Sequence, residues 1–215
     1  MRAPSVTSSR MCPVCGQRAG AGRCSNQWCS RADRYFSVVF SVGVYAGALR
    51  RAILGYKFRG ELWRAPSFAR LVAGYLDRYG GWFDEFDMIG CMPTYVGAGG
   101  RRSWDPVGLV LSELEALLGD SWMLVPNLVG KRFETTAMSG QGRLSRLAIA
   151  EGPLRRSLFV PDPTLVRQAR ILLFDDVFTE GSSLREVARV LLASGAVEVA
   201  GLALARPQWD PRSTG

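Results

Sequence analysis

The stretch that decides the fold is ILLFDDVFTEGSS, residues 171–183. Its four leading apolar residues predict a buried strand, which ends at two adjacent acids, Asp175 and Asp176. Small and polar residues then lead into the segment 183–194, whose apolar spacing predicts a helix. The next apolar segment, 197–205, predicts a second strand. This end of the chain is therefore a predicted βαβ unit of a parallel sheet.

The turn between this strand and this helix has the residue types of a phosphate site. Ligands of open parallel sheets bind beyond the carboxyl ends of the strands, and a helix N-terminus attracts anions. Gly181 allows close backbone approach, and Thr179, Ser182 and Ser183 can donate hydroxyl hydrogen bonds. Two adjacent carboxylates need donors or a cation, and ribose hydroxyls with Mg²⁺ supply both. The alternative is a pair of strand-end acids that only caps the helix.

Outward from this unit, apolar strands alternate with amphipathic helices. This order predicts an α/β fold built on a mainly parallel sheet. The stretch 130–160 has few apolar runs, and we expect it to form a mobile hood. The remaining predicted strands are 35–44, 86–92 and 122–125, and the predicted helices are 46–56, 66–79 and 104–118.

Composition excludes several classes of protein. The chain has no histidine, so a Ser-His-Asp triad, an imidazole base and a His-ligated metal are excluded. Its net charge of +8 comes almost wholly from arginine, since Lys57 and Lys131 are the only lysines. Arginine suits bidentate contact with phosphate, which favours phosphorylated ligands or nucleic acid. A solvated basic surface is the alternative.

The sequence also bears on location. The first eleven residues lack the apolar core of a signal peptide. The most apolar stretch, 36–49, is shorter than the ~20 residues that a membrane-spanning helix needs. We therefore expect a cytoplasmic protein without membrane insertion.

Four of the five cysteines lie in the first thirty residues. Cys12 and Cys15 form a CPVCG knuckle, and Cys24 and Cys29 complete a set that suits structural Zn²⁺. Unliganded thiols or a disulfide pair are the alternatives, although a cytoplasmic setting disfavours disulfides. We divide the chain into a zinc-binding module, 1–34, and an α/β domain, 35–215.

Together these features resemble the ComF family, phosphoribosyltransferase-fold proteins associated with DNA uptake in competent bacteria. Besides the cysteines and the 171–183 loop, the likeness rests on YAG at 45–47, LGYKFRG at 54–60 and the segment 93–106. It covers nearly the whole chain. The resemblance implies a sheet of the type I phosphoribosyltransferase kind and a site for 5-phosphoribosyl 1-diphosphate (PRPP).

The resemblance also implies residue roles. Asp175 and Asp176 are expected to contact the ribose hydroxyls and Mg²⁺ as catalytic residues. Glu180 departs from related loops, which carry a small hydroxyl residue there. In the hood, Arg143 and Arg146 are candidates for contacting ligand phosphates. The implied PRPP-binding residues are Lys57, Arg59, Pro93, Thr94, Arg101, Arg102, Thr179, Glu180, Gly181, Ser182 and Ser183.

Two functions follow as hypotheses. The first is PRPP binding with Mg²⁺ and transfer of the phosphoribosyl group to a nitrogenous acceptor, in DNA uptake or nucleotide metabolism. The second is a non-catalytic adaptor for single-stranded DNA with a vestigial phosphoribosyl site, which would act with proteins of the competence machinery. In the adaptor, the zinc module and the arginine-rich face bind DNA, and Trp28 and Tyr35 either stack on bases or pack at the module junction.

Overall fold

The computed structural model describes residues 11–17, 24–138 and 140–208. Within these ranges, five strands form a central sheet in the order β1-β7-β6-β2-β3, and every neighbouring pair is parallel. Two short strands, β4 and β5, form a separate antiparallel pair. The strands are β1 Val39–Val44, β2 Met88–Cys91, β3 Met123–Val125, β4 Gly130–Lys131, β5 Leu158–Phe159, β6 Arg170–Val177 and β7 Glu198–Arg206. The predicted α/β fold with a mainly parallel sheet is confirmed.

The α-helices agree with the predicted helices in number and place up to the hood, where further short helices occur. A π-helical turn, Ala150–Leu154, joins two of these. Among the described residues, no helix is long and apolar enough to cross a membrane. The helices are α1 Gly47–Arg59, α2 Ala65–Arg78, α3 Pro106–Leu118, α4 Arg143–Ile149, α5 Arg155–Ser157, α6 Pro163–Val166 and α7 Ser182–Ala193.

Two elements extend beyond their predicted ends, and both extensions matter for the site. Helix α1 continues one turn past the predicted end at residue 56 and stops at Gly60, whose φ of 68° is left-handed. Strand β6 continues past Phe174, because its parallel pairing with β7 extends to Val177. Asp175 and Asp176 therefore lie inside β6 rather than after it.

The sheet separates two hydrophobic layers. Helices α1, α2 and α3 pack on one face through residues such as Ile53, Val72 and Leu111. Helix α7, the hood and the cysteine segment, which we define as residues 11–17 and 24–34, pack on the other face. The remaining residues of the predicted 1–34 module, 1–10 and 18–23, lie outside the described residues.

This arrangement places a topological switch point between β2 and β6. The connection from β2 to β3 carries α3 on one face, and that from β6 to β7 carries α7 on the other. Because β2 and β6 are neighbours, the two connections diverge and leave a crevice at the carboxyl ends of the strands. Open α/β sheets bind their ligands in such a crevice.

A buried ion cluster joins α7 to the hood and the cysteine segment. Glu186 is fully buried and accepts hydrogen bonds from Arg155, Arg185 and Arg189 at 2.5 to 3.0 Å. Arg185 also pairs with Asp33 at 2.6 Å and with Glu151 of the hood at 3.1 Å. Burial raises the pKa of Glu186, but the arginines outweigh it and hold this pKa below its usual value.

We expect Glu186→Gln to lower the free energy of unfolding by about 3 kcal/mol, because it removes the charge of a fully buried acid that pairs with three arginines. Urea denaturation measures this change. The control is Glu198→Gln, since Glu198 pairs with the partly exposed Arg170, which keeps a second acid, Glu85. That change should cost less than about 1 kcal/mol. Equal losses in the two variants would contradict a structural role for the cluster.

Candidate functional site

A cavity of about 450 Å³ opens at the switch point. Its walls come from the ends of β2 and β6, the last turn of α1, the start of α7, and the hood. Of the catalytic and PRPP-binding residues that the resemblance implies, all but Arg59 line this cavity: Lys57, Pro93, Thr94, Arg101, Arg102, Asp175, Asp176, Thr179, Glu180, Gly181, Ser182 and Ser183.

Arg59 lies elsewhere. It sits in the last turn of α1, and its Nε pairs with Glu61 at 3.0 Å with 61% of its side chain exposed. Lys57, two residues earlier, faces the cavity instead. Because neighbouring helix positions point in different directions, the two basic residues of the KFRG motif have separate surroundings.

The acid pair forms the floor of the cavity. Asp176 is 7% exposed, and its Oδ2 lies 2.6 Å from Lys57 Nζ. Asp175 Oδ1 accepts a hydrogen bond from the backbone N–H of Asp176 at 2.9 Å. Burial, together with the charge of Asp176, raises the pKa of Asp175 to about 8, against a lowering by Lys57. One lysine thus leaves the two carboxylates short of positive charge.

The shortage of positive charge beside the acid pair suits a bound Mg²⁺. Carboxylate oxygens are hard ligands, and Mg²⁺ is typically held by one or two of them together with substrate oxygens. Asp175 and Asp176 provide such a pair beside a space large enough for a sugar phosphate. The residues present therefore fit the ion.

The position of Lys57 depends on the added turn of α1. Arg102 Nη1 donates to the Lys57 carbonyl at 3.1 Å and satisfies a carbonyl group at the helix end. Burial lowers the pKa of Lys57, but Asp176 outweighs burial and raises it, so the lysine is charged. Arg102 thus stabilises the end of α1, from which the positively charged Lys57 side chain contacts Asp176.

Residues 179–183, which we name the phosphate loop after their predicted role, connect β6 to α7. Gly181 has a φ of 100°, and a Cβ there would lie 2.9 Å from the ring of Phe178. Both the backbone conformation and the space therefore require glycine. Helix α7 begins directly afterwards at Ser182, so its first N–H groups, which lack partners within the helix, adjoin the cavity.

Glu180 folds over this loop. Its Oε1 accepts a hydrogen bond from Ser182 Oγ at 3.0 Å and lies 4.0 Å from Arg146 Nη1. Arg146 also donates to Thr179 Oγ1 at 3.3 Å. A carboxylate from the loop itself thus occupies a hydroxyl and an arginine that a bound phosphate would use. The side chain of Arg143, the other predicted hood arginine, lies outside what the structure describes.

The opposite wall carries residues that the sequence reading missed. Arg101 pairs with Glu134 at 2.7 Å and donates to the Thr135 carbonyl at 2.6 Å, so a hood segment lies against the segment after β2. Lys131, on β4, also lines the cavity, and burial lowers its pKa. The sequence did contain a signal for Lys131, since lysine is rare in this arginine-rich chain. Its two lysines, Lys57 and Lys131, both line the cavity.

The four N-terminal cysteines form a cluster of their own. All four Sγ atoms lie within 4.8 Å of one another, and Cys15 and Cys24 are 3.5 Å apart. Tetrahedral zinc with bonds of ~2.3 Å requires sulfur atoms about 3.8 Å apart, so the cluster fits Zn²⁺. Gly16, with φ of 65°, makes the turn in the knuckle.

The aromatic residues near the cysteines have different environments. Trp28 is 1% exposed, so of the two alternatives for this residue packing is confirmed and stacking on bases is excluded. Tyr35 is 36% exposed, and the guanidinium of Arg185 lies 5.3 Å from its ring centre. The cysteine segment therefore presents no exposed tryptophan among its described residues.

Comparisons with known proteins find similarity only at the level of solved structures. No protein-family model matches the chain, and no curated protein matches it. A purine phosphoribosyltransferase from Pyrococcus horikoshii is 17% identical, with 67% of this chain and 73% of that chain covered and a TM-score of 0.36. A hypoxanthine phosphoribosyltransferase from Staphylococcus aureus is 10% identical, with 70% and 66% covered and a TM-score of 0.38.

A third structure, a hypoxanthine-guanine phosphoribosyltransferase from L. donovani, is 16% identical, with 67% of this chain and 70% of that chain covered and a TM-score of 0.35. Likenesses at this level assign no substrate.

Proposed function

We propose that the protein binds PRPP together with Mg²⁺ and transfers the phosphoribosyl group to a nitrogenous acceptor. One observation carries the proposal: the acid pair of β6, its lysine and the phosphate loop all face one cavity at the switch point. In ribose 5-phosphate, the diol matches the acid pair and the phosphate group matches the phosphate loop. The resemblance to the ComF family extends the proposal to a role in DNA uptake.

In the proposed reaction, the loop and the acids hold the two ends of the ribose. The hydroxyls of Thr179, Ser182 and Ser183 and the first N–H groups of α7 bind the 5-phosphate. Asp175 and Asp176 accept hydrogen bonds from the ribose hydroxyls. When bound to these acids, Mg²⁺ supplies positive charge to the departing diphosphate.

The bond between the anomeric carbon and the diphosphate oxygen breaks, and its electron pair leaves with the diphosphate. A nitrogen lone pair of the acceptor forms the new bond, and the nitrogen then loses its proton to solvent. The turn at Pro93 and Thr94 is the proposed place for the diphosphate. Lys131 is a candidate to contact the acceptor, because it lines the same cavity.

Replacing both acids, Asp175→Asn with Asp176→Asn, should weaken PRPP binding in the presence of Mg²⁺ by roughly a hundredfold or more, because two charge-assisted contacts are lost. Calorimetric titration measures the affinity, and circular dichroism checks the fold. Asp77→Asn with Asp84→Asn is a matched control, since it removes the same charge from two exposed positions. If the wild type fails to bind PRPP, the proposed function is wrong.

Replacing the internal carboxylate, Glu180→Gln, should strengthen PRPP binding roughly fivefold at low salt, because a negative charge beside the phosphate is removed while a hydrogen-bond acceptor remains. The gain should shrink as salt is added. Glu115→Gln, at an exposed position of α3, controls for net charge. An affinity that falls in Glu180→Gln would mean that the carboxylate assists the ligand.

A second function is favoured by a different surface. Phe58 and Trp63 are 59% and 68% exposed. The guanidinium of Arg102 lies 5.6 Å from the ring centre of Phe58, and that of Arg64 lies 4.2 Å from the ring centre of Trp63. Exposed aromatic rings with adjacent arginines bind single-stranded nucleic acid by stacking and charge. Phe58 also lines the mouth of the cavity. We propose this surface, rather than the zinc module, as the DNA-binding part of an uptake adaptor that acts with the competence machinery.

The double variant Phe58→Ala with Trp63→Ala should weaken binding to single-stranded DNA by about tenfold or more, because two stacking platforms are lost. Fluorescence anisotropy with a labelled oligonucleotide measures the affinity at two salt concentrations. Leu117→Ala, at an exposed apolar position of α3, is the control. Equal affinity of the wild type and the double variant would exclude this surface.

A further inference from the structure

The cysteine segment contacts the phosphate loop directly. Asn26 Nδ2 donates to the Glu180 carbonyl at 2.8 Å, and Trp28 Nε1 donates to Ser182 Oγ at 3.3 Å. Both contacts join residues 154 positions apart in the sequence. A segment that sequence analysis treats as a separate module thus touches the candidate ligand site at two points.

Each contact has a specific effect on the loop. In a planar trans peptide the C=O and the following N–H point in opposite directions. Since Asn26 holds the Glu180 carbonyl on the outer side, the N–H of Gly181 is turned away from Asn26, toward the side on which Gly181 lines the cavity. The contact therefore orients a donor for an anion.

The contact from Trp28 orients a second donor. Because Ser182 Oγ accepts from the indole, its own hydrogen is left for an acceptor on the cavity side, and Glu180 Oε1 takes that place at 3.0 Å. A phosphate oxygen that displaces this carboxylate would find the hydroxyl already directed at it.

The cysteine cluster determines where these two donors lie. Asn26 and Trp28 both belong to the four-residue gap between Cys24 and Cys29. The N–H of Asn26 points at Cys24 Sγ at 3.4 Å, and its Oδ1 accepts from the N–H of Trp28 at 3.0 Å. A metal bound to the cysteines would therefore fix both ends of the gap.

The segment is also held against α7 at a second place. Arg185 donates to the backbone and the carboxylate of Asp33 at 2.9 and 2.6 Å, and its guanidinium lies 4.6 Å from the ring centre of Trp28. Arg185 is buried and lies in the first turn of α7, the helix that follows the phosphate loop. The donors and the loop thus share a rigid support.

We propose that Asn26 and Trp28 are positioning residues for the phosphate site, and that metal bound to the four cysteines sets the affinity of the phosphate loop for its ligand. This inference rests on the proposed function. It assigns the cysteine segment a part in ligand binding and explains the long gap in the second cysteine pair, which has to contain both donors.

The sharpest test is Asn26→Asp. The new carboxylate can still accept from the N–H of Trp28, but it cannot donate to the Glu180 carbonyl. We expect zinc content to stay the same and the dissociation constant for PRPP to rise about tenfold. The control is Ser25→Asp, which adds the same charge at an exposed position of the same gap. Trp28→Phe should weaken PRPP binding in the same direction.

Metal removal completes the test. Chelation of zinc should weaken PRPP binding by the wild type, and added zinc should restore it. In Asn26→Asp the same treatment should have a smaller effect, since one of the contacts that the metal positions is already lost. Unchanged affinity in both Asn26→Asp and the zinc-free wild type would overturn the inference.

Hydrogen exchange separates this inference from the proposed function. Amides of residues 179–183 should exchange faster in Asn26→Asp than in Ser25→Asp, whether or not PRPP is the ligand. Failure of the zinc-loaded wild type to bind PRPP refutes the proposed function alone. Equal exchange in the two variants refutes the positioning role.

Discussion

The parallel hydrogen bonds between β2 and β6 are the constraint on which the site depends. They bring two distant parts of the chain together with their carboxyl ends at the same edge. Two walls of the cavity then follow from what leaves that edge: the segment after β2 toward α3, and the phosphate loop toward α7. Because the two connections go to opposite faces, neither can fill the space between them.

Three basic side chains of the cavity already lie near acids of the chain itself. Lys57 is paired with Asp176, Arg101 with Glu134, and Arg146 lies near Glu180. An anionic ligand therefore meets basic groups that already have acidic partners. The free energy that it gains from each of these groups is the difference between the new ion pair and the one that it replaces.

Much of the fold could be predicted from local patterns. The β6 strand, its acid pair and the start of α7 lie within thirteen consecutive residues, so strand propensity, glycine and helix-capping residues identify them together. The ends of elements were less predictable. The last turn of α1 depends on Arg102, and the end of β6 depends on β7, both distant in sequence.

Contacts between distant residues account for what the sequence reading missed in the site. Arg59 is the exception, because the acid that pairs with it, Glu61, lies only two residues away and was itself the local signal. The burial of Trp28 and the approach of Asn26 to the loop require the packed tertiary structure. Lys131 enters the cavity because β4 pairs with β5 across the hood. Only its rarity in the chain marks it beforehand.

The ion cluster around Glu186 has a further consequence for how the protein opens. One buried carboxylate is shared by arginines from α7 and from the hood, and Arg185 passes the connection on to the cysteine segment. Moving any one of these parts away breaks ion pairs of a buried carboxylate or of a buried arginine. They should therefore behave as one cooperative foldon, so that a protease or a thermal fluctuation releases all three together or none of them.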